Sequence, residues 1–296
     1  MPILEAIVLG IVQGLTEFLP VSSTAHLALV PWLATTLGLA NWPDPGLTFD
    51  VALHGGTLFA ILLYFWRTWI QIIRAALGGK VVRFSEVRDD VRDLTPAEEQ
   101  RERQLLWFMI AATIPAALAG ALLEKHVETT FRAPTLVASM LIIFAIIMWV
   151  AERMSKFDKP LPRIGLGDAM TVGVLQAFAV IPGVSRSGIT ITGGLFRNFT
   201  REAAARFSFL LSTPIIGGAA LFKLHHVMKH GLPPGELAPG MAAFVAGIIV
   251  SALVGYATIA FFLRYLQTKT LTVFIVYRIL FGITVLLLGY MGHYAG

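Results

Sequence analysis

The chain of 296 residues is 56% hydrophobic and only 14% charged, and its mean hydropathy of +0.74 is outside the range of soluble domains. Its net charge of +5 is distributed among the gaps between apolar runs, as membrane orientation signals are, which argues against nucleic acid as a partner. The chain has no cysteine, so disulfides, thiolate metal sites and cysteine nucleophiles are excluded. This composition predicts an all-α polytopic membrane protein, whose helices cross the bilayer several times.

Eight apolar segments follow one another along the chain. A helix needs about 20 apolar residues to cross a bilayer, and six runs reach that length. Two other segments, 3–39 and 165–197, are interrupted midway by Pro20 and by Pro182 with Gly183. Each of these is either two full spans or one re-entrant helical hairpin. The six predicted spanning helices are 48–66, 104–123, 134–151, 204–222, 241–263 and 271–293.

Basic residues in the loops indicate the orientation. Segments 67–103 and 152–163 carry eight and four basic residues, whereas 124–133 between them carries two. By the positive-inside rule the first two are cytoplasmic, and 67–103 is a charged cytoplasmic loop. Three spans then separate the interrupted segments, so two hairpins would enter the membrane from opposite sides. We therefore predict one membrane domain, 1–296, built from inverted-topology repeats at about 1–151 and 163–296.

The two interrupted segments are also similar in sequence. They align without a gap at an offset of 163 residues, which pairs Gln13 with Gln176 and Ser22 with Ser185. Opposed hairpins meet near the membrane midplane, where unwound backbone is tolerated only if it lines a polar cavity. We expect the two polar stretches to face each other.

The first polar stretch contains an acid and a helix break. Gln13 and Glu17 are four residues apart, so on a helix they share one face and can present oxygens to a cation. The alternative is that both bond to neighbouring helices. Pro20 ends this helix. The next helix is preceded by good N-cap residues, Ser22, Ser23 and Thr24. The N-terminus of that second helix is an anion site.

A hydroxyl and an imidazole lie close together in the same stretch. His26 follows Ser23 by three residues, which places both within reach of a shared substrate on the second helix. This pair is the minimum for an activated nucleophile. The alternative for His26 is a core histidine bonded to a carbonyl.

The second polar stretch repeats the architecture with different chemistry. Arg186 occupies the place of Ser23 in the alignment and supplies the only cation. Its guanidinium is a planar fork of donors that matches phosphate oxygens. The alternative is that Arg186 extends to the lipid headgroups. The stretch adds a cap residue and further hydroxyls at Ser185, Ser187 and Thr190.

Together the two stretches offer one carboxylate, one imidazole, one guanidinium, several hydroxyls and two helix N-termini within a membrane. The ligand that best matches this set is a phosphorylated lipid. Phosphoryl transfer depends mainly on positioning and charge stabilisation, which Arg186, the helix ends and a metal held near Glu17 can supply.

At these residues the chain resembles the bacterial undecaprenyl-pyrophosphate phosphatase family associated with bacitracin resistance. Both signatures of that family are present in full, at 13–26 and at 182–190, and the similarity extends over essentially the whole chain. The resemblance implies an integral protein of the bacterial inner membrane whose site opens to the periplasm. Its implied activity is removal of the terminal phosphate of undecaprenyl pyrophosphate, which regenerates the lipid carrier for peptidoglycan synthesis.

The resemblance also implies roles for individual residues. By this resemblance Glu17 is the essential acid that holds or assists a divalent cation, Mg²⁺ or Ca²⁺, and Ser23 is the proposed nucleophile. His26 is its base or acid; alternatively Ser23 orients a water while His26 attacks or acts as base. Many relatives have Glu where this chain has Gln13, and an amide adds no charge to a metal site. Arg186 clamps the phosphate, and the cradle is completed by Ser22, Thr24, Ser185, Ser187 and Thr190.

The main rival hypothesis is a transporter or flippase of a polyprenyl phosphate lipid, because inverted repeats with opposed hairpins are a transporter architecture. Carrying a lipid has no evident need for a Ser and a His three residues apart beside Glu17, which favours the enzyme. A structural subunit would not explain either polar stretch. A homodimer is compatible with the sequence.

Overall fold

The computed structural model describes residues 2–38, 46–79, 95–130, 133–230 and 240–294. Within these ranges the chain is almost entirely helical, and a single isolated β-bridge pairs Lys159 with Phe199. Short 3-10 helices cover Leu161–Arg163 and Ala177–Val180. The α-helices are α1 (Ile3–Thr16), α2 (Ser23–Thr36), α3 (Leu47–Tyr64), α4 (Trp66–Ala76), α5 (Pro96–Thr130), α6 (Pro134–Met154), α7 (Leu166–Gln176), α8 (Arg186–Phe196), α9 (Arg201–His230), α10 (Met241–Leu266) and α11 (Thr272–Tyr294).

Five of these helices, namely α5, α6, α9, α10 and α11, are long and apolar enough to cross a membrane. They correspond to the predicted spans from 104–123 onward, and α11 begins one residue later than predicted. The remaining predicted span, 48–66, corresponds to α3, which ends at Tyr64 and is followed by α4 after a bend of 70°. The described part of the chain is therefore an all-α membrane protein with five spans, or six if α3 and α4 count as one.

The predicted loop 67–103 is shorter than expected, because α4 occupies its first ten residues and α5 begins at Pro96. Apolar residues lie between the basic ones of this segment and form one side of α4. Ile72 and Ala75 of α4 are buried, while Arg67 and Arg74 on the other side are exposed, so α4 is an amphipathic helix. Residues 80–94 of this segment lie outside the described ranges. So do residues 131 and 132 of segment 124–133.

Each interrupted segment forms two short helices, and the two breaks have the same backbone geometry. Ser22 before α2 has φ 79° and ψ 96°, and Ser185 before α8 has φ 74° and ψ 112°. Each serine hydroxyl accepts a hydrogen bond from the backbone N–H three residues later, at Ala25 and at Gly188. These are equivalent positions at the offset of 163 residues. The sequence similarity therefore extends to an unusual backbone conformation.

The two hairpins are held by helices from the opposite half of the chain. The α1 helix packs on α10, and α7 packs on α5. Glycines permit both close approaches: a Cβ added to Gly10 would lie 2.8 Å from the carbonyl oxygen of Gly247, and one added to Gly173 would lie 2.7 Å from the Cα of Ala112. The offset of 163 residues pairs these two glycines as well.

We expect Gly173→Ala to destabilise the protein, because its added methyl group has no room against α5. Overpacking of this kind typically costs about 1–3 kcal/mol. Gly218→Ala is the matched control, since nothing lies within 4 Å of its added Cβ and alanine favours the helix. The midpoint of thermal unfolding in detergent should fall for Gly173→Ala and not for Gly218→Ala. Equal midpoints for the two variants would contradict this packing.

Candidate active site

One carboxylate at the end of α1 collects side chains from both hairpins. Glu17 is buried, and its Oε2 accepts hydrogen bonds from Ser23 Oγ at 2.5 Å and from Gln13 Nε2 at 3.1 Å. Its Oε1 accepts a hydrogen bond from Arg186 Nη2 at 2.6 Å. The structure thus places four of the residues singled out in the sequence, Gln13, Glu17, Ser23 and Arg186, in direct contact.

A histidine that the sequence analysis missed joins this group from α3. His54 Nε2 lies 3.3 Å from Glu17 Oε2, and its Nδ1 lies 2.7 Å from the carbonyl oxygen of Asp50. Both neighbours are hydrogen-bond acceptors, so both ring nitrogens must carry hydrogen for both contacts to be hydrogen bonds. The available signal was a histidine inside an apolar run, since ionisable groups within spans are usually functional.

His26 points away from Ser23. Its Nδ1 lies 2.7 Å from the carbonyl oxygen of Ser22, and its Nε2 lies 2.7 Å from the hydroxyl of Tyr277. The ring also stacks on Phe281, with centroids 4.8 Å apart. A carbonyl only accepts, so Nδ1 carries the hydrogen and Nε2 accepts from the tyrosine. In this structure His26 therefore has the environment of a core histidine bonded to a carbonyl, and both ring nitrogens are engaged away from Ser23.

The hydroxyls next to the two breaks contact the backbone or one another. Ser22 and Ser185 cap α2 and α8 through their side chains. The hydroxyl of Thr24 is 3.2 Å from that of Ser22, and Thr24 is exposed. An α-helix leaves the N–H groups of its first turn without intrahelical partners, and each cap uses one of them. The first turns of α2 and α8 therefore present further N–H groups beside Glu17.

Two other hydroxyls bind α8 to its surroundings. Ser187 Oγ donates to the carbonyl oxygen of Leu19 at 3.0 Å, which joins α8 to the break before α2. Thr190 Oγ1 donates to the carbonyl oxygen of Arg186 at 2.7 Å and lies 2.6 Å from Ser208 Oγ. In this arrangement Ser187 connects the hairpins, and Thr190 connects α8 to α9.

A buried arginine on α11, also missed from the sequence, connects both breaks. Arg278 Nη1 donates to the carbonyl oxygen of Pro20 at 3.2 Å, while Nη2 donates to those of Gly183 at 2.9 Å and Val184 at 3.0 Å. Its Nε donates to the carbonyl oxygen of Leu141 at 3.2 Å. Unwound backbone inside a membrane needs such partners. The sequence signal was a lone arginine in the predicted span 271–293.

Two buried polar atoms of the site lack a partner among the described residues, namely Arg186 Nη1 and Gln13 Oε1. The arginine nitrogen is a free donor for an anion. The fit to a divalent cation is poorer, because both oxygens of Glu17 already accept hydrogen bonds and one faces a guanidinium. The described ranges contain no cluster of three or more His, Asp or Glu that could hold a metal. The side chains around Glu17 therefore do not form a complete cation site.

The two interrupted segments touch at this site. There they bring together a hydroxyl hydrogen-bonded to a carboxylate, a guanidinium with a free N–H and two helix N-termini. These features define a polytopic α-helical membrane protein with a polar site suited to phosphate. The family described as "Bacitracin resistance protein BacA" matches residues 6–284. The chain belongs to this family.

Several curated relatives are named undecaprenyl-diphosphatase. The protein of Moorella thermoacetica is 45% identical over 280 residues, which is 95% of either chain. That of Geobacter metallireducens is 46% identical over 285 residues, covering 96% of this chain and 97% of the relative. That of Pelobacter propionicus is 43% identical over 296 residues, covering 99% and 100%. The similarity thus spans both hairpins and all the residues of the site.

We expect Arg278→Met to lower the unfolding midpoint strongly, because it leaves buried carbonyl groups of both breaks without donors. Each unsatisfied buried group costs about 1–3 kcal/mol. Arg264→Met is the control, since Arg264 is exposed at the end of α10. Thermal unfolding in detergent and the yield of monodisperse protein measure the effect. Indistinguishable midpoints for the two variants would show that Arg278 does not support the breaks.

Proposed function

We propose that this protein is an undecaprenyl-diphosphatase. It hydrolyses the terminal phosphate of undecaprenyl pyrophosphate to give undecaprenyl phosphate and inorganic phosphate, which recycles the lipid carrier for peptidoglycan synthesis and confers resistance to bacitracin. The names of the relatives support this substrate. The observation that carries the proposal is the hydrogen bond from Ser23 to Glu17, whose other oxygen binds Arg186.

In the proposed reaction Ser23 is the nucleophile and Glu17 is its base. Glu17 Oε2 takes the hydroxyl proton as Ser23 Oγ bonds to the terminal phosphorus. The bond from that phosphorus to the bridging oxygen breaks, and its electron pair leaves with undecaprenyl phosphate. Glu17 passes this proton to the departing oxygen of undecaprenyl phosphate and is ionised again. A water molecule then attacks the phosphoserine and loses a proton to Glu17, which returns it to Ser23 Oγ as the bond between phosphorus and Oγ breaks and inorganic phosphate is released.

The surrounding donors stabilise the charge of the transferring group. Arg186 Nη1 and the N–H groups of the first turns of α2 and α8 hydrogen-bond to the phosphoryl oxygens. The side-chain exposure rises from 3% at Glu17 to 14% at Arg186 and 22% at His54. His54 is the most exposed of these three side chains, and we propose that the diphosphate approaches from its side.

The finer architecture is part of the proposal. The chain consists of two inverted-topology repeats, and the loops rich in basic residues lie in the cytoplasm with the active site open to the periplasm. Matching caps at Ser22 and Ser185 support a duplication. The exchange of packing partners, with α1 on α10 and α7 on α5, is what two interlocked repeats produce.

A lipid transporter is the second candidate, and the paired hairpins favour it. Such a protein needs the anion-binding arginine and the helix N-termini. It has no use for a hydroxyl held 2.5 Å from a buried carboxylate, because no bond is made or broken during transport. That contact favours the hydrolase.

The assay of the proposed function is release of inorganic phosphate from undecaprenyl or farnesyl pyrophosphate by purified protein with Mg²⁺ or Ca²⁺. We expect Glu17→Ala, Ser23→Ala and Arg186→Ala to lower the rate by about 10³-fold or more, as losses of a base, a nucleophile or a phosphate-binding arginine do elsewhere. The control variants are Glu99→Ala and Arg103→Ala, which break a surface ion pair. Unchanged turnover in a site variant refutes its assignment, and lipid movement across vesicles without phosphate release identifies a transporter.

The sequence predicts a divalent cation near Glu17, whereas the hydrogen bonds to both oxygens of Glu17 argue against such a site in the substrate-free protein. Direct binding tests this without reference to turnover. We expect Mn²⁺ titrated into the substrate-free protein, followed by electron paramagnetic resonance, to show no saturable site at Glu17. The double variant Gln13→Glu with His54→Gln adds a second carboxylate and removes the imidazole that competes with a cation for Glu17. This variant should therefore bind Mn²⁺ more tightly than the unaltered protein. A site in the unaltered protein that Glu17→Gln abolishes would instead make Glu17 a metal ligand.

A further inference from the structure

A basic cavity of about 400 Å³ lies at the other end of the α7–α8 hairpin from Arg186. The α8 helix has 11 residues and is therefore about 16 Å long, so this cavity is separate from the active site. It is open at the protein surface, and nothing in the proposed reaction uses it. Its charged lining includes Arg101, Lys159, Arg163, Arg197, Asp158 and Asp168.

The carboxylate of Asp168 is fully occupied by the protein itself. Its Oδ1 accepts from Arg197 Nε at 2.7 Å and from Lys159 Nζ at 2.9 Å, while Oδ2 accepts from the N–H of Gly165 at 3.1 Å. Burial acts to raise the pKa of Asp168, but these partners outweigh it and hold the pKa below its usual value. Asp168 is therefore ionised at neutral pH, and its role is to fix the cations around the cavity.

The three arginines are each anchored through one nitrogen. Arg197 Nε binds Asp168, Arg163 Nε binds Glu98 Oε1 at 3.2 Å, and Arg101 Nη1 donates to the carbonyl oxygen of Arg163 at 2.9 Å. The side chains of Arg163 and Arg197 are still 48% and 44% exposed. An arginine anchored at Nε keeps its two Nη groups in a fixed fork, which is the geometry that binds phosphate oxygens in pairs.

The rim of the cavity is partly apolar. Leu166 lies between the lining glycines Gly165 and Gly167, and half of its surface is exposed. The cavity also adjoins segment 152–163, the shorter of the two basic segments. Cationic forks beside an exposed leucine match the phosphate and the adjoining acyl chain of a membrane lipid.

We propose that this cavity is a second phosphate-binding site, distinct from the active site. Its ligand is a phosphate group, supplied either by the headgroup of an anionic lipid or by free inorganic phosphate. The exposed leucine favours the lipid. The site goes beyond the proposed hydrolysis, since none of its residues contacts the residues around Glu17.

Gly167 offers a test that leaves the fold intact. Nothing lies within 4 Å of a Cβ added there, and an acidic residue is favourable in the first turn of a helix. Gly167→Asp therefore places a negative charge at the cavity, and Gly167→Asn places a side chain of the same size without the charge. Both variants, and Arg101→Gln, are made in the Arg186→Ala background so that the active site does not contribute phosphate binding.

The measurement is native mass spectrometry of the purified protein titrated with phosphatidylglycerol or phosphatidylcholine. We expect a preference for phosphatidylglycerol that Gly167→Asp weakens about tenfold and Arg101→Gln severalfold, with Gly167→Asn close to the parent. Binding that persists in excess inorganic phosphate assigns the lipid source. Binding of ³²P-labelled phosphate, weakened by Gly167→Asp and without a lipid preference, assigns free phosphate. Absence of both, or equal effects of the two Gly167 variants, overturns the proposal.

Discussion

The buried guanidinium of Arg278 is the constraint on which the site depends. Two helices are broken in the apolar interior, and their buried carbonyl groups would each cost about 1–3 kcal/mol without a donor. One side chain from α11 supplies donors to Pro20 on one hairpin and to Gly183 and Val184 on the other. Because it joins both breaks, it fixes their separation, and this separation is what allows Arg186 of one hairpin to reach Glu17 of the other.

The two similar hairpins contribute unequally to that contact. Their caps at Ser22 and Ser185 are nearly superimposable in backbone angles, so the framework is repeated. The residues that follow the caps differ, since the first hairpin supplies Ser23 and the second supplies Arg186. Two hairpins with matching caps thus bring a hydroxyl and a guanidinium to one carboxylate, which a single helix could not do.

Much of this arrangement could be predicted from the sequence. Hydropathy identifies the long helices, prolines mark both breaks, and polar residues beside a break indicate the contacts among Glu17, Ser23 and Arg186. The rest depends on how neighbouring helices are rotated about their axes. That rotation directs His26 toward Tyr277 and brings His54 to Glu17. Sequence spacing along one helix carries no information about either rotation, because both contacts join different helices.

The saturation of Glu17 has a consequence for the end of the catalytic cycle. Arg186, Ser23 and Gln13 all donate to this carboxylate when no substrate is present, so an incoming phosphate competes with a group already built into the protein. Free inorganic phosphate then gains little by staying, since its departure restores every one of these bonds. Glu17 therefore competes with phosphate for these donors, and it holds them in position before the lipid arrives.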